Sequence, residues 1–570
     1  MPRLHRGWRK LAFAVLAAVF VAATMSSAAG AGRGSDQLRK INHIVVIYEE
    51  NHSFDNLYGS WEGVNGLANA DAAHTTQVDQ NGAPYSCLFQ LDVNLTSPPL
   101  STVCNSVTPR GVAFNSHFLN TWFRIGDSIP PDATTCPKPK DSFAFPNGIL
   151  NGSGVGIAGG CTRDLVHKFY QEQYQLNGGA QNRYATGSDS AGTVMGLYDT
   201  RSLPIYRYLH ADGHPHYAIA DNFFQAAFGG SFLNHQWLIA ARTPFDNNAP
   251  ANLHSLVDSA GFPRNNYPLY NPLAGVTYRD SDFTVPCPAP KAGLACGNFA
   301  VNTMQPTNEP FGTFGEKLVV QNHATIGDRL SAAGVSWGWY AGGWDNAAGI
   351  TTGPGWTNGP GPTCSDPNHD TNPAYTYPKC PDFAFQFHHQ PFAYFANYAP
   401  GQPGRTHLRD EVAFENAANS STTQCNLDAV SFVKPVGEEN EHPGYASEHS
   451  GSTHLIELLQ LIRNSACAKD TMVVVTYDEF GGQWDHVSPP GQGNNNGPHD
   501  EWGPGTRIPA LVVSPFLRGN FALDHTQYDT TSILALIEER YGLAPLSSRD
   551  AAVNSLSDVF AAKQHEAAGP

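Results

Sequence analysis

Two stretches far apart in the chain share one pattern, an unbroken apolar run closed by oxygen-bearing side chains. Ile41–Glu50 (INHIVVIYEE) ends in Glu49 and Glu50, with Asn51 next. Met472–Pro490 (MVVVTYDEFGGQWDHVSPP) carries Val473, Val474, Val475 and Thr476 straight into Asp478 and Glu479. β-Branched runs without polar alternation predict strands buried on both faces. Val335–Tyr340 and Arg507–Pro515 predict further strands, and Tyr217–Phe224 is a further apolar segment. Leu455, Leu458, Leu459 and Ile462 fall at helical spacing and predict an amphipathic helix over Thr453–Asn464. Helical character also marks Phe232–Arg242 and Thr530–Tyr541. Such alternation predicts an α/β fold, a doubly wound and mostly parallel sheet flanked by helices. Ligands of open α/β sheets sit at the carboxyl ends of the strands, so Glu50, Asn51, Asp478 and Glu479 are expected to meet at one point.

Carboxylates crowded at the end of a core strand are costly unless compensated. A hard divalent cation would satisfy them through oxygen ligands, which allow Ca, Mg or Mn. A plain acid-glycine surface turn is the alternative for Asp478–Gly482. Ser231 follows Gly229-Gly230 and opens the helical stretch, where its hydroxyl is unhindered and the helix start favours negative charge. It reads as a nucleophile or as a simple N-cap. The α/β-hydrolase elbow G-x-S-x-G is missing around it. His167, His388, His389 and His442 offer donors to a phosphoryl group, or ordinary loop hydrogen bonds.

Composition adds the compartment. The first 31 residues join a basic start (Arg3, Arg6, Arg9, Lys10) to an apolar run and Ala28-Ala29-Gly30-Ala31, a secretory signal peptide rather than a membrane anchor, the run being short for a span. Export to the periplasm or beyond is therefore expected. Ten cysteines fall into sequence neighbours, Cys87/Cys104, Cys136/Cys161, Cys287/Cys296, Cys364/Cys380 and Cys425/Cys467, the simplest pairing for loop-stapling disulfides. They accompany long Gly/Pro/Asn-rich insertions over 60–165 and 280–385. Without the signal segment, 29 of the 33 basic residues face 50 acids, a charge of −21. That balance excludes nucleic acid as a partner, since basic clusters are confined to the N-terminus. One catalytic domain is expected over 32–560, followed by a frayed tail at 561–570.

In order, HIVVIYEENHSFDNLYG, GGSFLNH, FHHQPF, NEHPG, TYDEFGGQWDHVSPP and GTRIPALVVSPF resemble the bacterial phosphoesterase family. That family groups secreted acid phosphatases with phosphatidylcholine-hydrolysing phospholipases C on an alkaline-phosphatase-like fold. The paired histidines of FHHQPF are more similar to the acid phosphatase branch. The resemblance implies one divalent metal held by Glu50, Asn51, Asp478 and Glu479, with Ser231 as the nucleophile. It implies a phosphate pocket of His167, His388, His389 and His442, His442 being the candidate leaving-group acid and His167 a second catalytic candidate. Asp485 and His486 follow the metal pair closely and are expected to orient it. Two positions beside the nucleophile depart from the family pattern, Leu233 in place of proline and His235 in place of arginine.

The expected reaction is hydrolysis of small phosphate monoesters through a phosphoserine on Ser231. A phospholipase C or other phosphodiesterase, with membrane lipid as substrate, is the alternative, and a non-catalytic exported binding protein the second. Histidines cationic at mildly acidic pH would favour an acidic optimum.

Overall fold

The computed structural model describes residues 36–89, 101–109, 111–127, 164–246, 267–271, 298–312, 316–357, 385–443 and 448–565, together with Gly34 and the short pairs 254–255 and 283–284. The expected signal segment and the cysteine pairs Cys136/Cys161, Cys287/Cys296 and Cys364/Cys380 lie outside these residues. The two neighbour pairings that fall inside, Cys87–Cys104 and Cys425–Cys467, are both disulfides.

Among the described residues, nine strands form the central sheet: β1 His43–Glu49, β2 Tyr217–Ala220, β3 Trp337–Ala341, β4 Leu408–Asp410, β5 Val430–Lys434, β6 Thr471–Tyr477, β7 Ala510–Val513, β8 Phe521–Asp524 and β9 Lys563–Gln564. Their order across the sheet is β4-β3-β5-β1-β6-β7-β2-β8-β9. From β4 to β6 every pairing is parallel, as is β2 with β8. β7 runs antiparallel to both β6 and β2, and β9 antiparallel to β8. β9 thus draws the first part of the stretch expected to fray into the sheet edge.

The apolar runs become central strands because both their faces are covered. Every residue of β5 and β6 is buried, as are six of the seven in β1. The flanking helices are α1 Phe169–Leu176, α2 Pro204–His210, α3 Ser231–Ala240, α4 Glu411–Ser420, α5 Glu448–Arg463 and α6 Thr531–Tyr541. α5 packs with α2 and α4, whereas α3 packs with α6. The inward side of α5 carries Leu455, Leu458, Leu459 and Ile462, all buried at the predicted spacing. Among the described residues, no helix is long and apolar enough to cross a membrane.

Candidate active site

Three neighbouring parallel strands end at one edge, and each closes on charge. β1 delivers Glu49 and Glu50, β6 delivers Asp478 and Glu479, and β5 delivers Lys434. Ser231 arrives from the first position of α3. The turn before it is held tightly. Gly229 has φ +91°, and a Cβ there would lie 2.7 Å from Phe169 N, so only glycine fits. The Glu172 carboxylate, on α1, accepts hydrogen bonds from Gly229 N at 2.5 Å, Thr506 N at 2.6 Å and Gln225 Nε2 at 2.9 Å. A buried acceptor therefore anchors the backbone that carries the serine.

Ser231 Oγ donates to Glu50 Oε2 at 3.1 Å and lies 3.3 Å from Glu479 Oε1. Asn51 Nδ2 lies 3.1 Å from both Glu479 Oε1 and His442 Nε2. His389 Nε2 and Lys434 Nζ each stand 2.7 Å from Glu50 Oε1. His167 Nε2 is 3.5 Å from Glu479 Oε1, while its Nδ1 is held 2.6 Å from Leu165 O. His388 joins through His389, the two rings meeting edge-on with centroids 4.6 Å apart. The predicted residues Glu50, Asn51, His167, Ser231, His388, His389, His442, Asp478 and Glu479 are thus brought together.

Asp485 and His486 go elsewhere. Gly481 and Gly482, both with positive φ, redirect the chain after Glu479, and a Cβ on Gly481 would come within 2.1 Å of Asn51 O. Beyond the turn, His486 Nδ1 lies 2.5 Å from Asp55 Oδ2. Arg507 Nε lies 3.1 Å from Asp485 Oδ1, and its second guanidinium nitrogen 3.1 Å from Asp55 Oδ1. The expected orienting role beside Asp478 and Glu479 gives way to a buried ion-pair network around Arg507.

One oxygen of each of Glu50, Asp478 and Glu479 lies within 4.8 Å of the other two, and all three residues are buried. Burial would raise the Glu50 carboxyl, but His389 and Lys434 beside it prevail and hold it well below the ordinary range. Burial first, and then the Glu50 charge, push Asp478 and Glu479 well above theirs. Three carboxylates cannot all ionise here without a further cation. Asp478 Oδ2 and Asn51 Oδ1 are buried with no hydrogen-bond partner among the described residues. These donors fit a hard divalent ion held by Glu50, Asn51, Asp478 and Glu479.

Burial also corrects the expectation of cationic histidines. It lowers His442, takes His389 down to about 4 and sets His388 well below the ordinary imidazole value. His388 and His389 are thus neutral at mildly acidic pH, and the shift of His442 runs in the same direction, against the expected cationic form.

Lys434 and Glu172 are site residues that sequence reasoning passed over. Lys434 closes the apolar run Val430–Lys434 just as the acids close theirs, and that was its only signal. His235 stacks on His389 with centroids 5.0 Å apart, and its Nδ1 lies 2.7 Å from Ser231 O. In place of the arginine of the family pattern it supplies an aromatic support.

Known proteins bear on this arrangement. The model of the Phosphoesterase family matches residues 41–544. Phospholipase C A of Mycobacterium tuberculosis is 23% identical over 573 residues, covering 95% of this chain and 81% of the relative. Phospholipase C B of the same organism is 24% identical over 568 residues, covering 94% and 80%. The non-hemolytic phospholipase C of Burkholderia pseudomallei is 28% identical over 177 residues, covering 26% and 25%. The matched span takes in every strand that delivers a residue to the site, and the chain accordingly belongs to the Phosphoesterase family, as a hydrolase acting on phosphoester bonds.

Proposed function

We propose that the protein is an exported, divalent-metal-dependent phosphodiesterase of phospholipase C type, built on an alkaline-phosphatase-like arrangement. The observation that carries this reading is the alignment of nearly the whole chain with proteins named phospholipase C. A cavity of about 360 Å³ supports it, lined by Asp164, His167, Lys168, Gly230, Phe232 and Asn302 beside the nucleophile turn. It offers room for a second ester substituent on phosphorus. The acid phosphatase reading is second, favoured by the FHHQPF pair and by the direct contact of His389 with Glu50.

In this mechanism Ser231 Oγ attacks phosphorus while its proton passes to the carboxylate it faces, Glu50 or Glu479. The P–O bond to the leaving alcohol breaks, and that oxygen takes up a proton. With Nδ1 engaged by Leu165 O and Nε2 toward Glu479, His167 is assigned that delivery. His442 bonds Pro443 O through Nδ1 at 2.7 Å and meets Asn51 Nδ2 through Nε2 at 3.1 Å, so it orients that amide, while His167, having given up its proton, takes one from the water that frees Ser231. A cation on Glu50, Asn51, Asp478 and Glu479 would lower the pKa of the serine hydroxyl and neutralise phosphoryl oxygens. Lys434 keeps Glu50 charged and fixed.

The test compares phosphatidylcholine vesicles, a chromogenic phosphodiester and the corresponding monoester, using metal-replete protein. Faster turnover of lipid or diester is expected. The reverse ranking would move the function to acid phosphatase. Silence on all three substrates would leave only the non-catalytic reading.

A further inference from the structure

A second group of ligating side chains gathers at the same sheet edge, on the face opposite Ser231. Glu49 ends β1 and Glu50 follows it directly, so their side chains point to opposite faces. Glu50 meets Ser231 of α3, whereas Glu49 faces the side of α4 and α5. There Glu411 opens α4, His454 lies in α5, and Glu439 follows β5. His454 Nε2 is 2.9 Å from Glu411 Oε1 and 3.8 Å from Glu439 Oε2, and one ligand atom of each residue lies within 4.8 Å of the others. Around a tetrahedral ion with bonds of about 2.1 Å, neighbouring donors stand roughly 3.4 Å apart. The two observed separations bracket that spacing.

A second observation points to a ligand. Glu49 is wholly buried, and among the described residues neither of its carboxylate oxygens has a hydrogen-bond partner. It interacts electrostatically with Lys434, His454 and Glu411. Lys434 is committed to Glu50, and with Glu411, Glu439 and Glu49 all ionised, His454 alone among the described residues would have to balance them. One imidazolium cannot do so. We propose that Glu411, Glu439 and His454 bind a second divalent cation, with the buried Glu49 carboxylate completing the charge balance beneath it. An imidazole among carboxylates suits Zn²⁺, in contrast to the all-oxygen set around Ser231. Burial disfavours charge on His454, yet Glu411 and then Glu439 hold its proton up to about 10. The cation takes the place of that proton on Nε2. Glu457 Oε2, 3.8 Å from Nδ1, faces the nitrogen that keeps its hydrogen. The bound ion would tie α4, α5 and the segment after β5 to the strand that presents Glu50.

The test is equilibrium dialysis against Zn²⁺ of full-length protein carrying Asp478→Asn and Glu479→Gln, which disables the carboxylate site beside Ser231. One Zn²⁺ per chain is expected, with affinity falling at least tenfold when His454→Gln or Glu439→Gln is added. Unchanged Zn²⁺ affinity in both added variants would overturn the site, as would no Zn²⁺ in the starting variant. Should that variant not fold, the otherwise wild-type protein is expected to hold two Zn²⁺ and Glu439→Gln one, with phosphoester turnover retained. Equal stoichiometry in the two would overturn the proposal. The outcome is independent of whether lipid or monoester is the substrate.

Discussion

Ser231 Oγ reaches Glu50 Oε2 at 3.1 Å, although 181 positions separate the two residues in the chain. The contact joins a helix start to a strand end and sets a hydroxyl against the carboxylate that Lys434 and His389 keep charged. Because Asp478 and Glu479 crowd the same point, the cluster carries more negative charge than its neighbours balance. Exhaustive chelation is therefore expected to abolish phosphoester hydrolysis and lower the Tm, and added Ca²⁺, Mg²⁺ or Mn²⁺ to restore both. Full activity after chelation, with metal verified absent, would count against a cation on these carboxylates.

Glu172 touches no reacting atom, yet it fixes Gly229 and so the approach of Ser231. Glu172→Ala removes the acceptor shared by Gly229 N, Thr506 N and Gln225 Nε2. A displacement of about 1 Å at a reacting group costs on the order of 10²-fold in rate. A kcat loss of roughly 10- to 100-fold with little change in KM is expected, with the circular dichroism spectrum intact. Unaltered kcat would refute the positioning role.

Arg507 is buried completely between Asp55 and Asp485. Arg507→Met leaves both acids without the guanidinium that they share. Breaking a buried pair in this way costs about 3–5 kcal/mol. A fall of several degrees in Tm is predicted by scanning calorimetry, and a Tm equal to wild type would contradict the network.

Glu448 opens α5 in full burial, and that burial pushes its carboxyl up to about 8. A folded-state value raised above the unfolded one, near 4.3, means that the folded protein binds the extra proton between those pH values. Stability is lost as pH rises through that window. Glu448→Gln removes the loss, so its Tm is expected to exceed that of wild type at pH 9 and to match it at pH 4. A Tm difference independent of pH would contradict this assignment.

The acids at the site were legible because each closes an apolar run, and parallel strands in an α/β sheet bring such ends to one edge. Ser231 was legible from its glycine turn. Lys434 was not, since a lysine closing a short apolar run points to no site until β5 is known to lie beside β1. Sequence proximity misled for Asp485 and His486, because two glycines with positive φ turn the chain away in three residues. The direction of β7 was equally hidden, as a buried apolar run reads alike parallel or antiparallel. Histidine charge depended on burial, which composition does not reveal.

The central claim is that Ser231 is the nucleophile of a phosphodiesterase. It is tested most directly by acid-quenching the metal-replete protein during turnover of phosphatidylcholine and mapping the trapped adduct by mass spectrometry. A headgroup phosphodiester on Ser231, absent in Ser231→Ala, is the predicted result. Turnover that persists in Ser231→Ala, with no adduct trapped on the wild-type protein, would contradict it.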